Sequence, residues 1–239
     1  MSLFWMMVIT LVILQASVLC TTIYLHRCLT HRGLEVHPAM AFLMHLELAL
    51  FTGISPRQWV AVHRKHHQFS DKEGDPHSPY LLGMYSVLFG NALYYRKVAK
   101  DAAAVRKYAP DYKGTALDKL PGKGFLILAG LALFMWAFGW VWGLAAWLFH
   151  VVFYILLNSS INSICHMVGY RNFDNMATNV KIIALITGGE GLHNNHHESP
   201  TAAHFAVKPG EFDPAWIFIR LMGWLRLVKV RAAAAAQVA

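Results

Sequence analysis

Charged side chains are scarce in this sequence, and acidic ones scarcest. Only 14 % of its 239 residues are Asp, Glu, Lys or Arg, 13 acidic against 21 basic, for a formal charge of +8. Two stretches, residues 3–25 and 124–163, contain none of the four. Each is long enough for a helix to cross a hydrocarbon core of about 30 Å. Cysteine is also sparse. There are three, with no CxxC pair, which excludes a disulfide framework and a thiolate zinc site and leaves reduced structural thiols. The first apolar run has neither a basic segment before it nor a small-residue cleavage site after it, so it reads as a membrane helix rather than a signal peptide. There is no internal repeat. The basic residues flank apolar segments and form no nucleic-acid reader.

What remains is apolar. Hydrophobic residues make up 56 % of the chain, above the roughly 45–50 % of soluble domains, and the mean hydropathy is +0.38. The expected fold is an all-α membrane protein, a single domain over 1–239 with about three transmembrane helices at 3–25, 124–140 and 141–163. The last two would be joined at "FGWVWG" (138–143), where tryptophans form an interface belt. Residues 36–56 are apolar but carry His37, His45 and Glu47, so they are expected to be re-entrant or interfacial. The polar stretches 57–123 and 164–231 would form a cytosolic or interfacial helical cap. Within them, 80–95 is expected to lie along the membrane surface, and 215–231 ("AWIFIRLMGWLRLVKVR") to be one interfacial helix. The tail "AAAAAQVA" carries no information.

Histidine is the exception to the scarcity of polar groups: there are 14. Nine fall into short clusters: "HRCLTHR" (His26, His31), "HRKHH" (His63, His66, His67), "CHMVG" (His166) and "HNNHH" (His193, His196, His197). The second and fourth share an i, i+3, i+4 spacing, which on a helix puts three rings on one face. Imidazole is a common ligand for iron, copper, nickel and zinc, and nine are too many for one ion and about right for two. His37, His45, His77, His150 and His204 stand alone and read as surface or satisfied core residues. If the clusters share a site, they lie on one side of the membrane. That requires 36–56 to re-enter and gives three crossings, and the positive-inside rule puts the site in the cytosol.

The three boxes, in order and spacing, resemble the integral-membrane fatty acid desaturases of the stearoyl-CoA (Δ9) type. The likeness runs from about Leu25 to Val230 and includes "HRKHHQFSDKEGDPHSP", "NSICHMVGYRNFD" and "GGEGLHNNHHESP". The second matches the family's N-S-x-x-H-x-x-G-Y-R motif at Asn162, Ser163, His166, Gly169, Tyr170 and Arg171. The resemblance implies two ferrous ions held by the nine histidines, with O2 as co-substrate and a cis double bond as product. It divides the ligands as His26, His31, His67 and His197, with a water held by Asn162, and His63, His66, His166, His193 and His196. It implies no catalytic group beyond these ligands. Glu190 and Asp75 are candidates to offset the metal charge. Trp59 is a candidate wall of an acyl channel, and Arg57 and Arg64 candidates to meet a headgroup. Leu14, on a face of the first helix counted back from His26, is a candidate for the far end of the channel.

The sequence departs from this pattern in two places. Animal stearoyl-CoA desaturases have another membrane helix before the first box-bearing helix, and the three-crossing reading of this sequence expects none. They also carry a charged pair before the second box, where this chain has Ala61 and Val62. The carrier therefore stays open among acyl-CoA, acyl-ACP (acyl carrier protein) and acyl-lipid. The His-Pro-Gly-Gly haem motif of a fused cytochrome b5 is absent, "HPAM" at 37–40 not being it. Electrons are expected from a separate donor, a ferredoxin, rubredoxin or cytochrome b5-like protein with its reductase. A related membrane di-iron hydroxylase or alkane monooxygenase is the enzymatic alternative, and a metal transporter or haem-binding membrane protein the non-enzymatic one.

Overall fold

The computed structural model describes residues 2–231; the alanine-rich tail lies outside them. Helix α1 (Leu3–Cys20) is apolar throughout, and the chain continues without a break as a ten-residue π-helix, Thr21–Thr30. The first membrane helix was expected over 3–25. It runs five residues further, to Thr30, because the backbone changes pitch instead of ending. The eighteen α-helical residues rise about 27 Å at 1.5 Å each, so the π-helical part projects the first two histidines past an apolar layer of about 30 Å.

After a short strand β1 (Leu34–Val36), α2 (Pro38–Phe51) and α3 (Pro56–Phe69) form a pair bent by 90°. Gly53, at a φ of +67°, makes the turn and Pro56 opens α3. The pair goes in and comes back: the Nε2 atoms of His31, before it, and His63, within α3, are 3.1 Å apart. Helices α4 (Pro79–Leu82), α5 (Met84–Ala99) and α6 (Ala102–Tyr108) follow. Tyr85, Phe89 and Leu93 form an exposed apolar stripe on α5 while Val87 and Asn91 are buried on its other side, the amphipathic arrangement of a surface helix.

The uncharged run 124–163 divides at Gly139, where φ is +82°. Helix α7 (Leu126–Phe138) is short, and α8 (Trp140–Met167) has 28 residues. At 1.5 Å per residue α8 is about 42 Å long, which leaves about 12 Å beyond a 30 Å core. His166 lies in that excess. A side chain at Gly143 would meet Phe134 O at 2.5 Å, so a hydrogen there lets α7 and α8 pack backbone to backbone. By length and composition two helices can cross a membrane, Leu3–Thr30 and Trp140–Met167, or three if the bent pair counts as one span.

The rest is cap: α9 (Lys181–Ile186), α10 (His193–Glu198), α11 (Pro214–Trp224) and β2 (Val228–Val230). The single helix expected over 215–231 is not formed. It ends at Trp224, Arg226 takes a φ of +60°, and "VKV" pairs antiparallel with "LEV" of β1. A core of Ile23, Tyr24, Leu25, Leu34, Leu48 and Ile219 joins the π-helix to β1, α2 and α11.

Candidate metal centre

The π-helix explains why two histidines five residues apart act together. In an α-helix that spacing turns the side chains about 140° apart. In the π register, with the His31 N–H donating to His26 O at 3.1 Å, residues five apart are joined by one i→i+5 turn and lie on much the same side of the helix, and the two rings are 4.8 Å apart. Helix α3 presents His63, His66 and His67, the end of α8 presents His166, and α10 presents His193, His196 and His197.

All nine rings converge through Nε2 or lie among those that do. His26, His31, His63, His67 and His196 form one group of donor atoms, and His66, His166, His193 and His197 another. In the first, successive Nε2 atoms are 3.0–3.1 Å apart along His31, His63, His67, His196 and His26. In the second, His193 Nε2 is 3.1 Å from His166 Nε2 and 3.0 Å from His197 Nε2. The set is the one the boxes suggested, but the grouping differs from the division implied by the family. His63 and His196 sit with His26, His31 and His67, and His197 with the second group. The cause is that His63 and His67, and likewise His193 and His197, are one turn apart on the same face, so each such pair shares a group.

Three carboxylates fix the tautomers. Glu190 Oε1 takes the Nδ1 proton of His26 at 2.6 Å, Asp75 that of His66 at 3.0 Å, and Asp71 that of His166 at 2.7 Å. A neutral imidazole has one N–H, so each of these rings turns a lone pair toward the centre. Glu190 is also bonded to Thr22, and Asp75 also accepts the backbone N–H of Asp71 and His77. Burial opposes the charge on Asp75, but the hydrogen bonds from the His66 ring and the His77 backbone hold its carboxyl below the usual range. Burial pushes His193, His196 and His197 well below the ordinary histidine value, and neighbouring imidazoles push further the same way. Neutral rings with converging lone pairs are the form that binds a cation. Donor atoms 3.0–3.1 Å apart also match adjacent ligands around an ion with bonds of about 2.1 Å. His66 Nε2 is buried without a hydrogen-bond partner, as a ligand atom would be. The residues fit two imidazole-bound transition metal ions.

Several residues that sequence reasoning did not single out hold this arrangement. Asn194 and Asn195, between the histidines of α10, are fully buried. Asn195 accepts from Asn172 and Asn179 at 2.8 Å and donates to Phe205 O and Glu211 at 2.9 Å. Arg27, beside His26, is buried and makes a bidentate pair with Asp213 at 2.8 and 3.0 Å. It also donates to Ala203 O and Gly188 O. Asp71 differs from Asp75 in no sequence feature, and only the turn after α3, where Asp71 has a φ of +60°, aims it at His166.

A cavity of about 230 Å³ opens against the first histidine group. His26, His63, Glu190 and Asn162 line it, as does Trp59, which stacks on His63 at 4.7 Å. Three expected substrate residues lie elsewhere. Arg57 is exposed at the start of α3. Arg64 is taken up by Thr30 O, Leu29 O, Tyr108 O and Asp111. Leu14 packs with Val18 and Tyr154 and does not line the cavity. Tyr154 stands between, because the helix face that reaches the histidines shifts where α1 becomes a π-helix, and Thr21 lines the cavity instead. Of the isolated histidines, His37 caps α2, His45 bonds Thr115, His150 bonds Ser17 and His204 stacks on Trp216. His77 departs from its expected reading: it is buried, lines the cavity, and has a partner for neither ring nitrogen.

The family model for fatty acid desaturases matches residues 3–209. Among curated relatives, the chain is 33 % identical over 214 residues to an icosanoyl-CoA 5-desaturase of Limnanthes douglasii, covering 87 % of this chain and 59 % of that protein. It is 32 % identical over 218 residues to an acyl-CoA 5-desaturase of Anemone leveillei, covering 87 % and 65 %. It is 30 % identical over 217 residues to an sn-1 stearoyl-lipid 9-desaturase of Anabaena variabilis, covering 86 % and 76 %. The chain thus spans about three-fifths to three-quarters of the length of these proteins. With the family's match running through all nine histidines, the chain belongs to the fatty acid desaturase family.

Proposed function

We propose that the protein is an O2-dependent acyl desaturase that introduces a cis double bond into a saturated acyl chain held as a CoA, acyl carrier protein or lipid derivative, with Δ9-type selectivity. The observation that carries this is the placement of a cavity with largely apolar walls directly against one of two histidine groups that fit metal ions. Removing hydrogen from an unactivated methylene needs an oxidant that side chains cannot supply. Two bound irons would supply it from O2. In balance, one saturated chain, one O2, two electrons and two protons give one alkene and two waters.

The chain's own residues have separate tasks in this reading. His26, His31, His63, His67 and His196 would hold one iron, and His66, His166, His193 and His197 the other. Asn162 would hold a water at the first. Glu190, Asp75 and Asp71 orient the rings and offset the metal charge. Trp59 and the cavity wall bind the alkyl chain at about 0.8 kcal/mol per CH2 buried and exclude water from the reacting carbons. The two electrons come from a separate donor of the ferredoxin, rubredoxin or cytochrome b5-like kind. We place the two long helices, Leu3–Thr30 and α8, across the membrane as a multi-pass protein, with the shorter α7 returning the chain to the start of α8 and the bent α2–α3 pair re-entrant. The histidines then face the cytosol, on the side of the basic stretch 57–123.

The test is expression in a host with a suitable reductase, followed by mass analysis of fatty acid methyl esters. Desaturation lowers the substrate mass by two hydrogens. A hydroxylase of the same family chemistry would add one oxygen.

A further inference from the structure

A second polar cluster lies away from the metals, within the apolar layer. His150 comes ten residues after Trp140, the start of α8, about 15 Å along the helix and so near the middle of a core of about 30 Å. Ser17 of α1 meets its Nε2 at 3.1 Å and meets Glu47 of α2 at 2.5 Å. One hydroxyl thus ties three separate helices together. Ser17 and His150 are 0 % exposed. Glu47 Oε2 and His150 Nδ1 are buried with no hydrogen-bond partner. Among the described residues no Lys or Arg pairs with Glu47, whose other polar neighbour is the Cys20 thiol. An ionisable side chain at such a depth is costly and calls for a specific role. Two proton arrangements leave the cluster without net charge. In one, a doubly protonated His150 donates to Ser17 and Ser17 donates to a carboxylate. In the other, Glu47 is a carboxylic acid that donates to Ser17, and Ser17 donates to His150 Nε2, with the ring proton on Nδ1. The two unpartnered atoms decide between them. The first arrangement leaves a charged oxygen and a charged N–H unpaired, whereas the second leaves only neutral ones, at far lower cost.

The cluster sits behind one end of the cavity. Phe51 is one turn after Glu47 on α2, and its ring packs edge-on against His150 at 6.1 Å and Phe134 at 6.0 Å. Val151 follows His150 in α8. Phe51 and Val151 both line the cavity, as do Thr52 and Ile54 of the turn between α2 and α3. We infer that Glu47 is a neutral carboxylic acid which, through Ser17 and His150, locks the re-entrant α2 to the two long helices and so positions Phe51 as the inner wall of the cavity. Glu47, Ser17 and His150 are positioning residues, since none of the three lines the cavity. Where Phe51 stands then bounds the length of chain that the cavity takes. That consequence rests on the acyl desaturase reading, and the lock itself does not.

The first test is the infrared spectrum of the full-length, metal-loaded protein at neutral pH, taken as wild type minus Glu47→Gln. The difference should show a carboxylic-acid C=O band that moves in deuterium oxide. A carboxylate band in its place overturns the inference. The second test is the product profile from saturated acyl substrates of graded length. Ser17→Ala removes the hydroxyl that joins the other two groups, and product ratios between neighbouring chain lengths should change by about 4-fold for each CH2 newly seated or excluded. Glu47→Gln, whose amide also donates to Ser17, should keep the wild-type profile. An equal loss of product at every length in Ser17→Ala, whatever its unfolding temperature, means that the cluster serves packing alone and overturns the inference, as does an altered profile in Glu47→Gln. The infrared test stands whether or not Ser17→Ala folds. A carboxylic-acid band in a wild type that forms no unsaturated product at any length would sink the desaturase reading and leave the lock standing.

Discussion

Glu190 and His26 come from opposite ends of the chain and meet at 2.6 Å, carboxylate to Nδ1, with both groups buried. This contact ties the loop before α10 to the π-helix. It also settles which nitrogen of His26 faces the metal group. Glu190→Gln keeps the shape and loses the charge. Partners of this kind typically change metal affinity 10- to 100-fold, so the variant should lose metal to a chelator at correspondingly lower concentration while its unfolding temperature changes little. Unchanged metal retention would mean that Glu190 is only a structural contact.

The two histidine groups differ in number, five against four. Removing a ligand from the smaller group leaves three. His166→Ala should therefore bring metal content from two ions per chain to about one and abolish product. His37→Ala and His204→Ala, which touch only a helix cap and Trp216, should keep two. Metal analysis by mass spectrometry decides this, and two tightly held ions in His166→Ala would contradict the grouping.

How far the sequence reached can be seen at these residues. The set of nine histidines was legible because i, i+3, i+4 spacing survives into any helix. Their grouping was not, because it depends on how α3 and α10 face each other across the site. The first box was legible as a pair, but not the π-helix that makes HxxxxH work, since hydrophobic periodicity says nothing about pitch. The charge-free runs marked the two long helices and the break at Gly139. The 215–231 segment read as one amphipathic helix because alternation over "VKV" is too short to stand out against it. Glu190 and Asp75 could be picked by proximity to the boxes, whereas Asp71, Arg27 and Asp213 act through turns and long-range packing that leave no local signature.

Leu14 illustrates the cost of extending α-helical spacing across a change of pitch. Because Leu14 packs against Tyr154 instead of the cavity, Leu14→Trp should overpack the helix contact and destabilise by about 1–3 kcal/mol without altering chain-length preference. Val151→Trp, at the apolar end of the cavity, should shorten the preferred acyl chain. A profile of products from saturated chains of graded length separates the two outcomes, and a shortened profile for Leu14→Trp would return that residue to the channel wall.

Arg27 and Asp213 are both fully buried and bonded twice to each other. Removing one partner strands the other, at about 3–5 kcal/mol. Arg27→Leu should lower the unfolding temperature sharply, and Arg27→Lys should recover little, because an ammonium cannot reproduce the forked contact. Full recovery by lysine would show that charge alone, not the fork that also reaches Ala203 O and Gly188 O, is what matters there.

The most direct test of the account is the mass and geometry of the product made by the iron-loaded protein with O2, a reducing partner and a saturated acyl substrate. The account predicts a cis alkene two hydrogens lighter than the substrate, formed by the wild type and absent from His166→Ala. An oxygenated product sixteen mass units heavier, or no turnover by protein holding two irons, would contradict it.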